Sequence, residues 1–180
     1  MEYRKVDGSS DLIIFTPKIF KDERGYFLEK FNYKNFNAVT GQKLDLFQQN
    51  ESFSSRGTLR GLHYQLSNTQ AKLVSVIKGK IFDVALDMRR ESKTFGKHFS
   101  IQLDEEKKET LWIPKGYAHG FLVLSDNAIF SYLVDNPYDP QSERTIFWSD
   151  PYLEIDWGYD DPVVSTKDSN GILFKDATYL

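Results

Sequence analysis

The stretch GTLRGLHYQ (57–65) contains an arginine and a histidine between glycines, in a run that has no helical pattern. The guanidinium of Arg60 is a fork-shaped donor suited to a phosphate or a carboxylate. The imidazole of His63 can take up a proton near neutral pH. In a regular strand these two side chains face opposite sides, but a bulge at Gly61 would bring both into one cavity. A lone strand histidine is also common in cores and on surfaces, so both interpretations stay open here.

The stretch HGFLVLSDNAIFSYLV (119–134) adds a second histidine and a tyrosine. It predicts a hairpin that turns at Asp126-Asn127, since both residue types tolerate tight loops. A two-residue loop would place His119 diagonally from Tyr132 on the same face of the hairpin. A slip of one residue would send Tyr132 to the opposite face.

The stretch LVSVIKGKIFDVALDM (73–88) predicts another hairpin, around Lys78-Gly79-Lys80. In its second strand, alternation places Asp83 on one face and Phe82 on the other. An aspartate on a strand face is usually solvated, so Asp83 is equally well a surface residue or the partner of a group in a site.

A metal site or a nucleophile would need further residues at suitable spacing. The three histidines, His63, His98 and His119, are far apart, and none belongs to a His-x-His pair. A site of two histidines and a carboxylate stays open as the minor alternative. The chain has no cysteine and none of the G-x-S-x-G, G-x-G-x-x-G or Walker motifs. Thiolate chemistry is therefore excluded.

Short apolar or alternating runs separated by Gly, Pro, Asn and Asp dominate the chain, and such runs are typical of β-strands. The predicted strands cover residues 12–16, 26–31, 45–49, 58–64, 73–78, 81–88, 98–103, 110–113, 119–124, 128–134 and 144–148. A short helix is predicted over 33–39, and 104–109 is either a helix or a charged turn. Strands spaced by roughly ten residues are typical of a sandwich or barrel. We therefore predict one all-β domain over residues 1–180.

The composition limits the classes of partner that the protein could bind and the cellular compartment in which we expect it. The net charge of −3 gives no basic field to attract nucleic acid or an anionic membrane. The N-terminus lacks the apolar region of a signal peptide, and no apolar run reaches the roughly 18 residues of a membrane span. The absence of cysteine fits a reducing compartment. We expect a cytoplasmic protein without nucleic-acid or membrane partners.

Nine blocks of sequence match one family in order and in spacing. They are D-x-R-G-x-F-x-E (22–29), Q-x-N-x-S-x-S (48–54), G-T-L-R-G-L-H-Y-Q (57–65), K-L-V-x-V-x-x-G (72–79), D-V-A-x-D-x-R (83–89), T-F-G (94–96), W-I-P-x-G-x-A-H-G-F (112–121), L-S-D (124–126) and S-x-K-D (165–168). With these blocks the chain resembles the dTDP-4-dehydrorhamnose 3,5-epimerase family from about residue 10 to residue 170.

The resemblance implies a fold, an assembly and a reaction. The fold would be a cupin-like jelly roll, or double-stranded β-barrel, with short peripheral helices. The assembly would be a homodimer with an exchanged N-terminal strand, without metal or organic cofactor. The substrate would be dTDP-4-dehydro-6-deoxy-D-glucose, epimerised at C3 and C5 to dTDP-4-dehydro-L-rhamnose for dTDP-L-rhamnose biosynthesis.

The resemblance also assigns roles to individual residues. It implies that His63 is the base, that Asp168 orients it, and that Tyr132 is the proton donor on the opposite side of the sugar. Lys72 and His119 match residues near the ketone oxygen, with Asp83 as the partner of His119. The matched nucleotide and substrate contacts are Arg24, Phe27, Glu29, Gln48, Asn50, Arg60, Tyr138, Glu143 and Lys167, of which Tyr138 would stack on the thymine ring.

Three alternatives stay open at this point. A relative could invert only C3, or act on a different 4-keto nucleotide sugar. A metal-dependent cupin enzyme and a catalytically silent sugar-nucleotide binding module are the other two. The matched set of His63, Lys72, Tyr132 and Asp168 argues against the silent module.

Overall fold

The computed structural model describes residues 2–9, 11–44 and 47–180, which form mostly β-strands. In chain order the strands are β1 (Glu2–Lys5), β2 (Ile13–Thr16), β3 (Ile19–Asp22), β4 (Gly25–Leu28), β5 (Gln48–Ser55), β6 (Leu59–Gln65), β7 (Lys72–Lys78), β8 (Lys80–Asp87), β9 (His98–Asp104), β10 (Thr110–Ile113), β11 (Tyr117–Val123), β12 (Asn127–Val134) and β13 (Glu143–Thr145). The helices are α1 (Tyr33–Thr40), α2 (Thr166–Ser169) and a 3₁₀ helix (Phe174–Asp176). The prediction of an all-β chain is confirmed.

Two antiparallel sheets hold most of the strands. The six-stranded sheet has the order β1-β2-β10-β7-β12-β5, and the five-stranded sheet has the order β13-β6-β11-β8-β9. The remaining strands, β3 and β4, form a separate two-stranded ribbon. Alternate side chains of the two large sheets meet in a shared core that includes Val74, Leu111, Ile81 and Phe121.

The period-two alternation predicted for β8 is confirmed, and it gives the sheet two buried faces. Ile81 and Ala85 point into the core between the sheets. Val84 and Leu86 point the other way and pack under the C-terminal segment, against residues such as Trp157. β8, in the middle of the five-stranded sheet, is therefore covered on both faces, and its Asp83 and Asp87 are buried.

The two predicted hairpins are wrong. β7 pairs with β10 and β12, whereas β8 pairs with β9 and β11, so the chain crosses from one sheet to the other at Gly79. The segment between β11 and β12 crosses between the sheets in the same way. Two alternating strands joined by a tight turn bury the same side chains whether they pair as a hairpin or belong to different sheets. Local sequence therefore cannot distinguish these two connections.

Several smaller differences separate prediction and structure. The predicted helix at 33–39 is confirmed as α1, which begins after Asn32, whose side chain caps Asn35, and ends at Gly41. The segment 104–109 is a turn, because the Asp104 carboxylate accepts two backbone N–H groups there and ends β9. Of the predicted strand 45–49, residues 45 and 46 lie outside the described residues. β1 and β3 were not predicted, and the prediction covered only the first two residues of β5.

The β3–β4 ribbon leaves large aromatic side chains in solvent. Phe20, Tyr26 and Phe27 are all exposed, Phe27 by 71%. An isolated two-stranded ribbon is only marginally stable in water.

None of the helices in the described ranges has the length and hydropathy that a membrane crossing needs.

Candidate active site

A cavity of about 660 Å³ opens between the two large sheets. Strands of both sheets and the helix α2 contribute to its wall. Eleven of the fifteen predicted site residues line it: Gln48, Asn50, Arg60, His63, Lys72, His119, Tyr132, Tyr138, Glu143, Lys167 and Asp168.

The antiparallel pairing of β6 and β11 explains how Arg60 and His63 share this cavity. His63 lies opposite His119 and Arg60 lies opposite Phe121, so two residues of β6 face the single residue Gly120 between those pairs. This is the bulge that the sequence allowed, and it places both side chains on one face. The two backbones are very close here, because a Cβ at Gly120 would lie 2.7 Å from the carbonyl oxygen of Arg60.

His63 is paired with the carboxylate that the sequence motifs associated with it. Its Nε2 lies 2.5 Å from Oδ1 of Asp168, which is only 3% exposed. Burial raises the pKa of Asp168, but the hydrogen bond and charge of His63 outweigh that effect and the pKa falls below its usual value. Asp168 therefore stays ionised and fixes one ring nitrogen, which leaves the other to act as a base.

The helix α2 positions Asp168. Its N-cap Ser165 accepts a hydrogen bond from the backbone N–H of Asp168 at 3.1 Å. Ser165 was not singled out from the sequence, although S-x-x-D at 165–168 is a helix N-terminus signature. The motif therefore carries a positioning signal in addition to the carboxylate itself.

A second histidine–carboxylate pair lies next to the first. Nε2 of His119 is 2.9 Å and 3.1 Å from the two oxygens of Asp83, and both residues are buried. Burial lowers the pKa of His119, while the charge of Asp83 opposes that effect. Asp83 is fully buried behind the imidazole, so it holds His119 and does not line the cavity.

Lys72 and Tyr132 reach the cavity from the six-stranded sheet, opposite His63 and His119. Burial lowers the pKa of Lys72 to about 8, although the charges of Asp83 and Glu143 partly oppose this. Burial raises the pKa of Tyr132, so its phenol keeps its proton at neutral pH. His119 and Tyr132 do not share one face of a hairpin, as was predicted, but they line the same cavity from different sheets.

The wider part of the cavity contains groups suited to a polar, anionic ligand. The Arg60 guanidinium is held by Ser54, which accepts a hydrogen bond from Nε at 3.0 Å. Gln48 donates to Asn50 at 2.6 Å on the edge strand β5. Ser54 is the last residue of the Q-x-N-x-S-x-S block (48–54), but the sequence indicated no role for it, because a serine in an alternating strand has no distinctive signal of its own.

Glu143 joins three elements at the mouth of the cavity. It accepts a hydrogen bond from the Tyr138 hydroxyl at 2.9 Å and forms an ion pair with Lys167 at 2.8 Å. Burial raises the pKa of Glu143, but these two partners reverse the shift and lower it. Tyr138 is 53% exposed, so its ring is available to stack on a ligand.

Three predicted binding residues lie away from the cavity of their own chain. Arg24 pairs with Asp22 at the tip of the β3–β4 ribbon. Phe27 is exposed on β4, and Glu29 accepts a hydrogen bond from Asn32. No group of three or more metal-ligating side chains occurs within residues 2–9, 11–44 and 47–180.

Comparison with known proteins identifies the family. A family model described as dTDP-4-dehydrorhamnose 3,5-epimerase matches residues 9–176. A dTDP-4-dehydrorhamnose 3,5-epimerase from Shigella flexneri is 51% identical over 171 residues, which is 94% of each chain.

Solved structures give the same result. One is a dTDP-4-dehydrorhamnose 3,5-epimerase from Elizabethkingia anophelis NUHP1, with a TM-score of 0.94, 45% identity and 99% of each chain covered. Another is a dTDP-6-deoxy-D-glucose-3,5-epimerase from Legionella pneumophila Philadelphia 1 in complex with dTDP-4-keto-L-rhamnose. Its TM-score is 0.94 at 44% identity, covering 98% of this chain and 95% of that one.

The fold and the site define an enzyme of the cupin-like jelly-roll class, as the sequence blocks implied. The chain belongs to the dTDP-4-dehydrorhamnose 3,5-epimerase family.

Proposed function

We propose that this protein epimerises dTDP-4-dehydro-6-deoxy-D-glucose at C3 and C5 to dTDP-4-dehydro-L-rhamnose. The C4 ketone of this sugar acidifies the protons on both neighbouring carbons. Removal of either proton gives an enolate, and return of a proton to the opposite face inverts that carbon. The reaction needs a base on one face, an acid on the other, and positive charge near the enolate oxygen.

One observation carries the proposal: His63 and Tyr132 line the same cavity from different sheets. A sugar ring between them has the imidazole on one side and the phenol on the other. His63, oriented by Asp168, removes the proton. Tyr132, whose pKa is raised by burial, gives a proton to the opposite face.

Lys72 and His119 are assigned to the ketone side of the sugar. The ammonium of Lys72 provides the positive charge that a developing enolate oxygen requires. His119 is fixed by both oxygens of Asp83, so its ring cannot rotate away as the charge builds up. Lys72 and His119 therefore bind the ketone oxygen before proton removal and stabilise its negative charge during that step.

The nucleotide is assigned to the wider part of the cavity. Arg60 binds the diphosphate, because a guanidinium matches the geometry of phosphate oxygens. Gln48 and Asn50 lie on the edge strand beside it and contact the same end of the ligand. Tyr138 stacks on the thymine ring, while Glu143 and Lys167 close the mouth of the cavity.

The assembly we propose is a homodimer in which the β3–β4 ribbon of one protomer reaches the site of its partner. This accounts for the exposed aromatic side chains of the ribbon, which include Phe27. It also accounts for three predicted ligand contacts, Arg24, Phe27 and Glu29, that lie away from the cavity of their own chain. We place this dimer in the cytoplasm, as the sequence led us to expect.

The test is a reaction in heavy water followed by NMR. The native protein, incubated with dTDP-4-dehydro-6-deoxy-D-glucose, is expected to place solvent deuterium at both C3 and C5. Addition of the reductase that acts next should then give dTDP-L-rhamnose. Label at C3 alone would instead identify an enzyme that inverts a single carbon.

The metal-dependent alternative has a separate test. Elemental analysis of the purified active protein is expected to find no stoichiometric iron, manganese or zinc, and activity should survive treatment with a chelator. Stoichiometric metal together with activity lost to the chelator would contradict the proposal.

A further inference from the structure

A smaller cavity of about 90 Å³ adjoins the main one on the side of His63, Lys72 and Tyr132, which line both cavities. We call it the side chamber. Thr69 and Tyr117 belong to its wall and not to that of the main cavity. A site for one water needs about 10–15 Å³ of such space and two or more polar partners, so the side chamber is large and polar enough for several waters.

The proposed reaction creates a need for proton return. After one inversion His63 carries the proton it removed, as an imidazolium, and Tyr132 has given its own away, as a tyrosinate. A second inversion with the same base and acid requires one proton to pass from the imidazolium to the tyrosinate. The products of that transfer are the neutral imidazole and the neutral phenol, so no other co-reactant is consumed.

We propose that water in the side chamber, together with Lys72, returns this proton from His63 to Tyr132 between the two inversions. The inference rests on the proposed function and extends it. It assigns a task to a cavity behind the substrate site and a second role to Lys72.

The strand register places Lys72 beside Tyr132. On the paired strands β7 and β12, Lys72 lies opposite Val134, and Val74 lies opposite Tyr132. Directly opposite residues share a face, so Lys72 and Tyr132 are diagonal neighbours on the same side of the sheet, within reach of long side chains. His63 faces them from the other sheet, and the side chamber lies along this path.

The pKa values of Lys72 and Tyr132 favour transfer of a proton from the lysine ammonium to the tyrosinate. Burial lowers the pKa of Lys72 to about 8, against the opposing charges of Asp83 and Glu143. Burial and the charge of Glu143 raise the pKa of Tyr132 above that of an ordinary phenol. The ammonium is therefore the stronger acid, and a new tyrosinate takes its proton downhill. The Lys72 amine then recovers a proton through water from the His63 imidazolium.

The experiment fills the side chamber without altering the main cavity. Thr69→Leu replaces a small polar wall residue by a larger apolar one, and Thr69→Ser is the matched control that keeps the chamber open. Each variant is mixed in excess with substrate in heavy water, and labelling of the two carbons is followed in time. For Thr69→Leu we expect the first carbon to label within about twofold of the native rate and the second about tenfold more slowly. The singly inverted sugar then accumulates, whereas Thr69→Ser behaves like the native protein.

A second variant tests Lys72 itself. Lys72→Arg keeps a positive charge beside Asp83, but a guanidinium does not release a proton. Because Lys72 also serves the enolate oxygen, we expect both carbons to label more slowly in this variant, and the second carbon to be slowed about tenfold more than the first. Loss of dTDP binding by Thr69→Leu would reveal that this variant does not fold. The Lys72→Arg variant then tests the inference on its own.

Two results would overturn the inference. One is equal slowing of both carbons in the two variants, and the other is labelling of both carbons at the native rates in both variants. Failure of the proposed function is distinguishable from either result, because the native protein itself would then not label both carbons.

Discussion

At the scale of single residues, the chemistry depends on how firmly His63 is held. Its partner Asp168 is buried, is fixed by the cap of α2, and has a pKa lowered by the imidazole. An ionised carboxylate in this setting accepts a hydrogen bond from the imidazole and keeps the ring in one orientation. The same logic applies to His119 and Asp83, so two restrained imidazoles lie side by side on adjacent strands.

The role of His63 predicts a specific loss. His63→Ala is expected to reduce solvent-deuterium exchange at both carbons by at least about 10³-fold, since it removes the base. Affinity for dTDP, measured by calorimetry, should stay near the native value because Arg60 and Tyr138 are untouched. His98→Ala removes an imidazole that is not part of the cavity wall and should leave exchange unchanged. Equal loss of dTDP binding in His63→Ala would show that His63 belongs to nucleotide binding.

The role of Tyr132 predicts a different defect. Tyr132→Phe keeps the ring and its packing against Phe130 but removes the proton donor. Inversion should fall by about 10²-fold, while proton removal, followed as washout of deuterium from substrate labelled at C3, falls much less. A parallel fall in washout and inversion would mean that Tyr132 serves the removal step.

At the scale of secondary structure, the site depends on the close approach of β6 and β11. A methyl group at Gly120 would lie 2.7 Å from a carbonyl oxygen and 3.1 Å from Gly61, so the strands would have to separate. Separation moves His63 relative to His119, and small displacements of reacting groups are costly in rate.

We therefore predict that Gly120→Ala destabilises the fold by about 2 kcal/mol and lowers kcat about 10²-fold. Gly158→Ala is the control, because it also adds a methyl group to a glycine but meets open space. Gly158→Ala should lower the free energy of unfolding by only about 1 kcal/mol, because Gly158 has a left-handed φ. Its kcat should be native. Thermal unfolding and steady-state kinetics provide both quantities, and a native kcat in Gly120→Ala would contradict the role of the bulge.

Local patterns in the sequence predict which face of a strand is buried, but they do not predict which strands pair. Alternation correctly assigned the two faces of β8, and the glycine between Arg60 and His63 allowed the bulge that the structure contains without predicting it. The pairing of β7 with β8 and of β11 with β12 was wrong, because strand pairing is decided by the whole sandwich. The site residues were found through family blocks, whereas Ser54 and Ser165, which position them, carry weak signals of their own.

At the scale of the whole molecule, the β3–β4 ribbon suggests that the site is completed by a second chain. Its aromatic side chains are too exposed to stabilise a monomer. A contribution from the partner would make every site in the assembly depend on two protomers. Ligand affinity should then respond to residues that are remote within one chain.

This predicts a native mass of about twice the chain mass of 20.9 kDa, measured by light scattering. Phe27→Ala should weaken dTDP binding by about tenfold, although Phe27 lies outside the cavity of its own chain. Tyr152→Ala, at a side chain that is equally exposed, should bind dTDP normally. A monomer, or native affinity in Phe27→Ala, would rule out the exchanged ribbon.

A crystal structure of this protein with dTDP-4-dehydro-L-rhamnose tests the central claim most directly. We predict that the pyranose ring lies between the imidazole of His63 and the hydroxyl of Tyr132. Each group should approach an opposite face at about 3–3.5 Å from the reacting carbon. A ring that meets both groups on one face, or that leaves either of them in a separate part of the cavity, would contradict the mechanism.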